Sequence, residues 1–202
     1  MDIREAKKDM RTRLLQARRG MSDSDLHRED SAVASYTASL LRARSGTPST
    51  IAAYMPRRGE PGGTLLLNAL HTQAPTILLP ISGENGVLEW STYKGEMALR
   101  PGKLAIPEPT GDRFPTAALT ECDVIFVPAL ACTPSGIRLG KGGGYYDRAL
   151  AELDRLTRGK TPTTAVLLYN GEIRDDLPVE DHDRAVDIII TPTGIRHLNH
   201  AD

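Results

Sequence analysis

Cysteine is nearly absent from this chain: Cys122 and Cys132 are the only two in 202 residues. They form no CxxC pair and have no neighbouring histidine cluster, so neither a zinc site nor a disulfide framework is indicated. Reduced cytosolic thiols are the expectation. Net charge is equally scarce, since 25 Lys and Arg stand against 26 Asp and Glu and leave −1. A whole-chain electrostatic grip on nucleic acid or an acidic membrane is thereby excluded, and only a local basic patch could supply one. No stretch approaches the roughly 18 consecutive apolar residues of a membrane span. The opening MDIREAKKDMRTRLLQARRG also lacks the apolar core of a signal peptide. A soluble, cytoplasmic protein with no membrane partner follows. Nucleophilic catalysis is not signalled either: no GxSxG elbow or reactive-cysteine context occurs. His27, His71, His182, His197 and His200 are scattered without a base–nucleophile constellation. What is present is ordinary, at 40% hydrophobic and 25% charged. That composition supports a buried core and rules out wholesale disorder.

Against a prior of roughly 100–200 residues per domain, the simplest account is one domain over residues 1–202. Residues 1–44 form an N-terminal helical segment packed on it. Residues 1–19 read as a helix, with Ile3, Met10, Leu14 and Ala17 making an apolar stripe. Lys7, Arg11 and Arg18 line up beside that stripe; on spacing alone they read as a solvated edge, the sharper alternative being a helix that delivers two cations to a phosphate. A second helix starts near Ser22, where Ser22 and Asp25 have capping-box spacing, and Leu26, Val33, Tyr36 and Leu40 carry its stripe to about Arg44. Short apolar runs then alternate with helical stretches. Strands are expected at 50–54, 76–80, 86–93, 124–130, 164–169 and 187–192, the third half-exposed from its alternation. Helices are expected at TLLLNALH and at YYDRALAELDRL, the latter packing through Tyr146, Ala149, Leu150, Leu153 and Leu156. Trp90 and Tyr93 are expected to pack. The segment RPGKLAIPEPTGDRFP is too polar for a core element, and His197–Asp202 reads as a frayed tail. The fold class is α/β, a three-layer arrangement of a largely parallel sheet flanked by helices.

The chemistry is concentrated in Gly136-Ile137-Arg138-Leu139-Gly140-Lys141-Gly142-Gly143-Gly144-Tyr145-Tyr146-Asp147-Arg148. This stretch lies between the strongest strand and a helix, where open α/β sheets collect their ligands. Its glycines let backbone approach a ligand closely, and the helix start offers N–H groups and a positive dipole end to an anion. Arg138 and Lys141 add cations, so a phosphate site is indicated. It is neither of two familiar loops. A Walker A motif needs Gly at Ser135 and Ser or Thr at Gly142, and a GxGxxG places Tyr145 or Asp147 on its last glycine. Asp147, in the first helical turn, either complements the helix dipole or holds Mg²⁺ against phosphates. Glu180, Asp181, Asp183 and Asp187 crowd the last strand as candidate partners, or as a solvated acidic loop.

The string GIRLGKGGGYYDR closely resembles the signature of the 5-formyltetrahydrofolate cyclo-ligase family, roughly G-x-R-[LIV]-G-x-G-x-G-Y-Y-D. The likeness extends in family order over nearly the whole chain: the basic first helix ending in R-x-M-S, then YMPRRGE, IPEP, the signature and VEDHDRAVDIIITP. The resemblance implies ATP- and Mg²⁺-dependent closure of 5-formyltetrahydrofolate to 5,10-methenyltetrahydrofolate, with ADP and phosphate released. It implies ATP contacts at Lys7, Arg11, Arg138, Gly140, Lys141, Gly142, Gly143, Gly144, Tyr145 and Tyr146. Folate contacts fall on Met55, Glu60, Lys141, Gly142, Gly143, Gly144 and Tyr145. Lys141, Arg138 and Tyr145 are the catalytic candidates, and Asp147 and Asp183 the metal-associated aspartates. Some members carry Lys where Gly143 stands, and some place an aromatic residue against the pterin where Leu104 stands. A monomer is expected, with a weak homodimer as the alternative. Two other classes make different demands of the sequence. A sugar-phosphate isomerase or phosphotransferase would need a general base beside the loop, where only Asp147 is well placed. A folate- or nucleotide-binding regulator would not need Lys7, Arg11, Lys141, Asp147 and Asp183 together. Nucleic acid would need the basic first helix free, whereas its stripe points to packing.

Overall fold

A computed structural model describes residues 2–44, 46, 49–157, 161–180 and 183–198. Asp181, His182, His200 and most of the expected tail lie outside the described residues. Helix α1 spans Ile3–Gly20, opened by Asp2, whose carboxylate accepts the Arg4 N–H. Helix α2 spans Asp23–Ala43 and begins as the Ser22–Asp25 spacing predicts. Ser22 Oγ accepts the Asp25 N–H at 3.1 Å. The reciprocal contact runs from the Ser22 hydroxyl to the Asp25 carboxylate at 2.7 Å rather than to backbone.

The central sheet has seven strands: β1 (Thr50–Ala52), β2 (Thr76–Ser82), β3 (Leu88–Thr92), β6 (Val124–Val127), β9 (Thr163–Leu167), β10 (Ile188–Thr191) and β11 (Gly194–His197). Their spatial order is β11-β10-β9-β6-β1-β2-β3. The five inner strands are parallel, and each edge strand, β3 and β11, is antiparallel to its neighbour. All six expected strands are present, although the first pairs only over Thr50–Ala52 and the fourth ends at Val127. Edge strand β11 was not expected. It turns His197 from tail into ladder, opposite Ile188.

Helices cover both faces, as the continuous apolar strands require. On one face α2 and α3 (Leu65–His71) bury Val33, Leu40, Leu41, Leu66 and Leu70 against Ile51, Ile77, Phe126, Leu167 and Ile190. On the other, α4 (Tyr145–Thr157) buries Ala149, Leu150 and Leu153 against Ile125, Val127, Val166 and Ile189, with Trp90 beside them. Leu156, expected on that apolar face, is exposed. Helix α1 packs separately, with Leu14 meeting Leu130, Leu139 and Leu177. The Pro- and Gly-rich 100–115 segment stays out of the core as expected. Part of it pairs as a ribbon, β4 (Leu99–Pro101) with β5 (Pro107–Pro109). A second ribbon, β7 (Ala131–Cys132) with β8 (Arg138–Leu139), raises the glycine run to α4.

This topology locates the site. From β1 the chain moves one way to β2 and β3, then returns to the other side of β1 as β6. The connections leaving β1 and β6 therefore diverge at a switch point, and open α/β sheets bind ligands in the crevice there.

Candidate active site

A cavity of about 420 Å³ occupies that crevice. Tyr54, Met55, Arg57, Glu60 and Pro61, which follow β1, form one wall, and Pro128 and Ala129, which follow β6, form the floor. Arg138 and the glycine run from Gly140 to Asp147 form the opposite wall. Leu104 and Ile106 reach over from the β4–β5 ribbon. Leu104 stands at φ 62 and Ala105 at φ 53, left-handed conformations that side chains other than glycine rarely adopt.

Two cations on these walls have acidic partners. Lys141, 44% exposed, pairs with Glu60 across the cavity. Glu60 is only 11% exposed and also accepts the Arg57 N–H at 2.9 Å. It is not the loose surface partner of Arg57 or Arg58 that its sequence context allows, since the Arg58 side chain pairs with Asp23. Arg138, 7% exposed, donates to the 68% exposed Asp147 carboxylate at 2.7 Å. Asp147 thus does more than complement the α4 dipole. The Arg138 Nε–H is buried without an acceptor, and so is the Tyr146 hydroxyl. Burial pushes the Tyr146 phenol well up, and nearby Glu60 adds to the effect. Its ring meets Trp90 edge-on at 6.2 Å. Arg148 stacks over Tyr145 at 5.4 Å and donates to the carbonyls of Gly86 and Gly143, fixing the end of the run.

The first helix supplies three cations, and none lies on a solvated edge. Arg11 Nε donates to the Gly140 carbonyl at 2.9 Å. Its guanidinium comes so close to Gly142, at φ 93, that a Cβ there would lie 3.3 Å from it. Lys7 is buried and donates to Asp183 at 2.6 Å and to Glu180 at 2.7 Å. Burial alone would lower the Lys7 pKa, but the two carboxylates overcome this and hold it above its usual value. Asp183 also accepts the Glu180 N–H. The structure therefore brings Met55, Glu60, Arg138, Gly140, Lys141, Gly142, Gly143, Gly144, Tyr145, Tyr146 and Asp147 into one cavity. Lys7, Arg11 and Asp183 stand behind its wall, engaged with the loop or with one another. Asp147 and Asp183 answer to different cations, and no cluster of three acidic or metal-ligating side chains occurs among the described residues.

Arg18 lines the cavity although neither its spacing nor the resemblance singled it out as a site residue. It pairs with Glu172 through Nε at 2.7 Å and through a terminal nitrogen at 2.8 Å, and donates to the Ala129 carbonyl at 2.9 Å. Its guanidinium also lies 5.4 Å from the Tyr169 ring centroid. The missed signal was register. Ile3, Lys7, Leu14 and Arg18 follow steps of four, seven and four, which is one helix face. Ala17, expected on the stripe, is exposed.

The chain as a whole has counterparts among known proteins. The profile of the 5-formyltetrahydrofolate cyclo-ligase family matches residues 3–192. The chain belongs to that family. A 5-formyltetrahydrofolate cyclo-ligase of Mycolicibacterium smegmatis is 34% identical over 197 residues, covering 93% of this chain and 94% of its own length. One of Haemophilus influenzae is 26% identical, covering 88% and 92%. Among solved structures, the Aquifex aeolicus 5,10-methenyltetrahydrofolate synthetase superposes with a TM-score of 0.75 at 25% identity, over 97% of this chain and 94% of that one. The Mycoplasma pneumoniae synthetase superposes at 0.71 over 95% and 99%, and at 20% identity it attests the fold alone. The family supports both the α/β class and an enzymatic, ligase-type assignment. No described helix is long and apolar enough to cross a membrane.

Proposed function

We propose that this chain converts 5-formyltetrahydrofolate to 5,10-methenyltetrahydrofolate at the expense of ATP, in the cavity at the sheet switch point. One observation carries the proposal: Glu60 and Lys141 meet there, between the strand-end wall and the glycine run. A reduced pterin presents an amino group and a ring N–H side by side, and one carboxylate accepts both. Glu60 is that acceptor, and Met55, Leu104 and Ile106 give the ring an apolar surface. The glycine run with Arg138 and Lys141 receives phosphate oxygens. The acceptor missing at the buried Arg138 Nε supports an anion on that side.

A formamide oxygen is a poor leaving group, which is why the closure needs ATP. Attack of the formyl oxygen on the γ-phosphorus expels ADP and leaves that oxygen esterified. N10 then adds to the formyl carbon and gives up its proton. Phosphate departs with the original formyl oxygen, leaving the 5,10-methenyl bridge. Such a transfer asks the protein for positioning and charge neutralisation rather than for a nucleophile. Lys141 and Arg138 meet the charge that develops on the transferred group, and Tyr145 and Tyr146 close the wall between the two substrates. Arg11 holds the loop in shape through Gly140. Lys7, through Asp183 and Glu180, fixes the segment before β10.

Mg²⁺ prefers one or two carboxylates together with phosphate oxygens and water. Asp147, exposed on the cavity wall, fits that demand with the oxygen that Arg138 leaves free, whereas Asp183 is bonded to Lys7 and lies outside the cavity lining. When bound, the ion neutralises and orients phosphate oxygens. The test is direct: purified protein with Mg·ATP and 5-formyltetrahydrofolate forms the methenyl product, followed by its near-ultraviolet absorbance, with one ADP per turnover. Folded protein that yields no product at micromolar concentration refutes the proposal.

A further inference from the structure

Glu60 works as a pterin acceptor only if its turn is rigid. A carboxylate that wanders by an ångström no longer meets two donors at once. Within the turn, the Glu60 N–H bonds the Arg57 carbonyl at 2.8 Å and the Gly63 N–H bonds the Glu60 carbonyl at 3.1 Å. The Glu60 carboxylate closes on the Arg57 N–H. These bonds shape the turn but do not fix it to the rest of the molecule. Besides the exposed Arg58–Asp23 pair and the Lys141 partner of Glu60 itself, two side chains hold its Pro61-Gly62-Gly63 end. The Tyr54 hydroxyl donates to the Pro61 carbonyl at 2.9 Å. From the other side comes Asp30, on α2, more than a hundred residues from the glycine signature.

Asp30 is placed unusually closely. A Cβ added at Gly63, which stands at φ 44, would lie 2.3 Å from Asp30 Oδ2. The turn can therefore accept this carboxylate only because glycine occupies that position. The carboxylate thus lies directly against the Pro61-Gly62-Gly63 backbone. The other oxygen, Oδ1, accepts the Tyr169 hydroxyl at 2.7 Å. Tyr169 is held in turn: its N–H donates to Glu172 at 2.8 Å and its ring carries the Arg18 guanidinium. Arg18 and Glu172 form a pair, and Arg18 reaches the cavity floor at the Ala129 carbonyl. A continuous polar chain thus runs from the floor through Arg18, Tyr169 and Asp30 to the back of the Glu60 turn. Oδ1 is held by the Tyr169 hydroxyl while Oδ2 presses on the turn at Gly63, so the carboxyl spans the two.

We infer that Asp30 is a positioning residue for folate recognition, holding the Pro61-Gly62-Gly63 end of the turn so that Glu60 faces the cavity. This rests on the function proposed above, and it makes a demand of its own: loss of Asp30 must weaken one substrate and not the other. Asp30→Asn keeps the shape but puts an NH₂ group either opposite the Tyr169 hydroxyl or against the turn at Gly63. The direct measurement is calorimetric binding of 5-formyltetrahydrofolate and, separately, of a non-hydrolysable ATP analogue with Mg²⁺. The expected result is folate binding weakened at least about fivefold and nucleotide binding changed by less than about twofold. A second cycle tests the route of action. With Glu60→Ala already present, Asp30→Asn should add nothing, because residues acting through one another are not additive. Tyr169→Phe removes the hydroxyl that holds Asp30 Oδ1, should weaken folate binding by about two- to threefold, and covers the case in which Asp30→Asn fails to fold.

Equal losses for folate and nucleotide would reduce Asp30 to a structural residue and overturn the inference. So would additivity with Glu60→Ala, or folate binding as tight as wild type in both variants. Because binding is read without turnover, a wild-type protein that binds folate but makes no product defeats the proposed reaction alone. A wild type that binds no folate defeats both.

Discussion

Replacing Arg18 with Met tests whether the cavity floor depends on a buried ion pair. Arg18 and Glu172 are 5% and 8% exposed and share two short hydrogen bonds. Burial alone would depress the Arg18 pKa, and the Glu172 carboxylate holds it above its usual value instead. Removing the guanidinium leaves Glu172 buried, with only the Tyr169 N–H as donor. Stranding one member of a buried pair costs about 3–5 kcal/mol. At about 2–4 °C per kcal/mol for a chain of this size, the melting temperature should fall by roughly 6–20 °C. The second half of the test separates the pair's net worth from the cost of breaking it. Adding Glu172→Gln removes the stranded charge while keeping an acceptor for the Tyr169 N–H. Replacing both members of a buried pair is often close to neutral, so the double variant should recover most of the loss. Urea denaturation followed by circular dichroism gives both numbers. A single variant within about 1 kcal/mol of wild type, or a double variant no more stable than the single, refutes the buried-pair account.

Glu60→Ala should raise the KM for 5-formyltetrahydrofolate at least about tenfold, since leaving two substrate donors unpaired costs about 1–3 kcal/mol, and steady-state kinetics with the ATP KM as control decide it. Lys141→Ala should lower kcat far more than it weakens folate binding, because its charge matters most as the transferred phosphoryl group develops charge; an equal effect on both would count against that role. Asp147→Asn should make activity collapse at low Mg²⁺ and recover only partly as Mg²⁺ is raised, so an unchanged Mg²⁺ titration removes the metal role. Burial holds the Asp30 carboxyl above its usual range, although the Tyr169 hydroxyl and the Gly62 amide oppose the shift. The unfolded chain therefore releases this proton first as pH rises, and the stability advantage of wild type over Asp30→Asn should shrink from about pH 4 upward until the folded carboxyl has ionised; denaturation at several pH values shows whether the trend has that sign.

Most of the fold was legible because the inner strands are buried on both faces. Val124-Ile125-Phe126-Val127 and Ile188-Ile189-Ile190 are apolar without a break, a pattern that only a covered parallel sheet explains. Elements that do not follow burial escaped. Strand β11 reads Gly-Ile-Arg-His, with two half-buried and two exposed residues, and its identity comes from pairing with β10 rather than from its own sequence. The β4–β5 ribbon is likewise held by its register across a Pro- and Gly-rich segment, where no periodicity marks a strand. Conversely, Pro128 and Ala129 continue the apolar run of β6, yet leave the sheet to floor the cavity.

The site was legible where its chemistry is local and hidden where it is assembled from afar. Glycines, Arg138, Lys141 and Asp147 lie within ten positions of one another, so their convergence needed only a strand before and a helix after. Glu60 was traceable through the YMPRRGE likeness, and its place after a buried strand agrees with that. No such local sign marks Arg18, Asp30 or Glu172, which lie on two helices and on the loop after β9 and meet through Tyr169. A charged residue on an apolar helix stripe usually reads as a break in the stripe. Here the break is informative, because burying Lys7 and Arg18 is tolerable only if acids from elsewhere meet them. Glu180, Asp183 and Glu172 do so. A long-range acid is therefore the expected companion of any cation in register with a buried helix face, and in this chain each such pair ties α1 to the back of the cavity it helps to build.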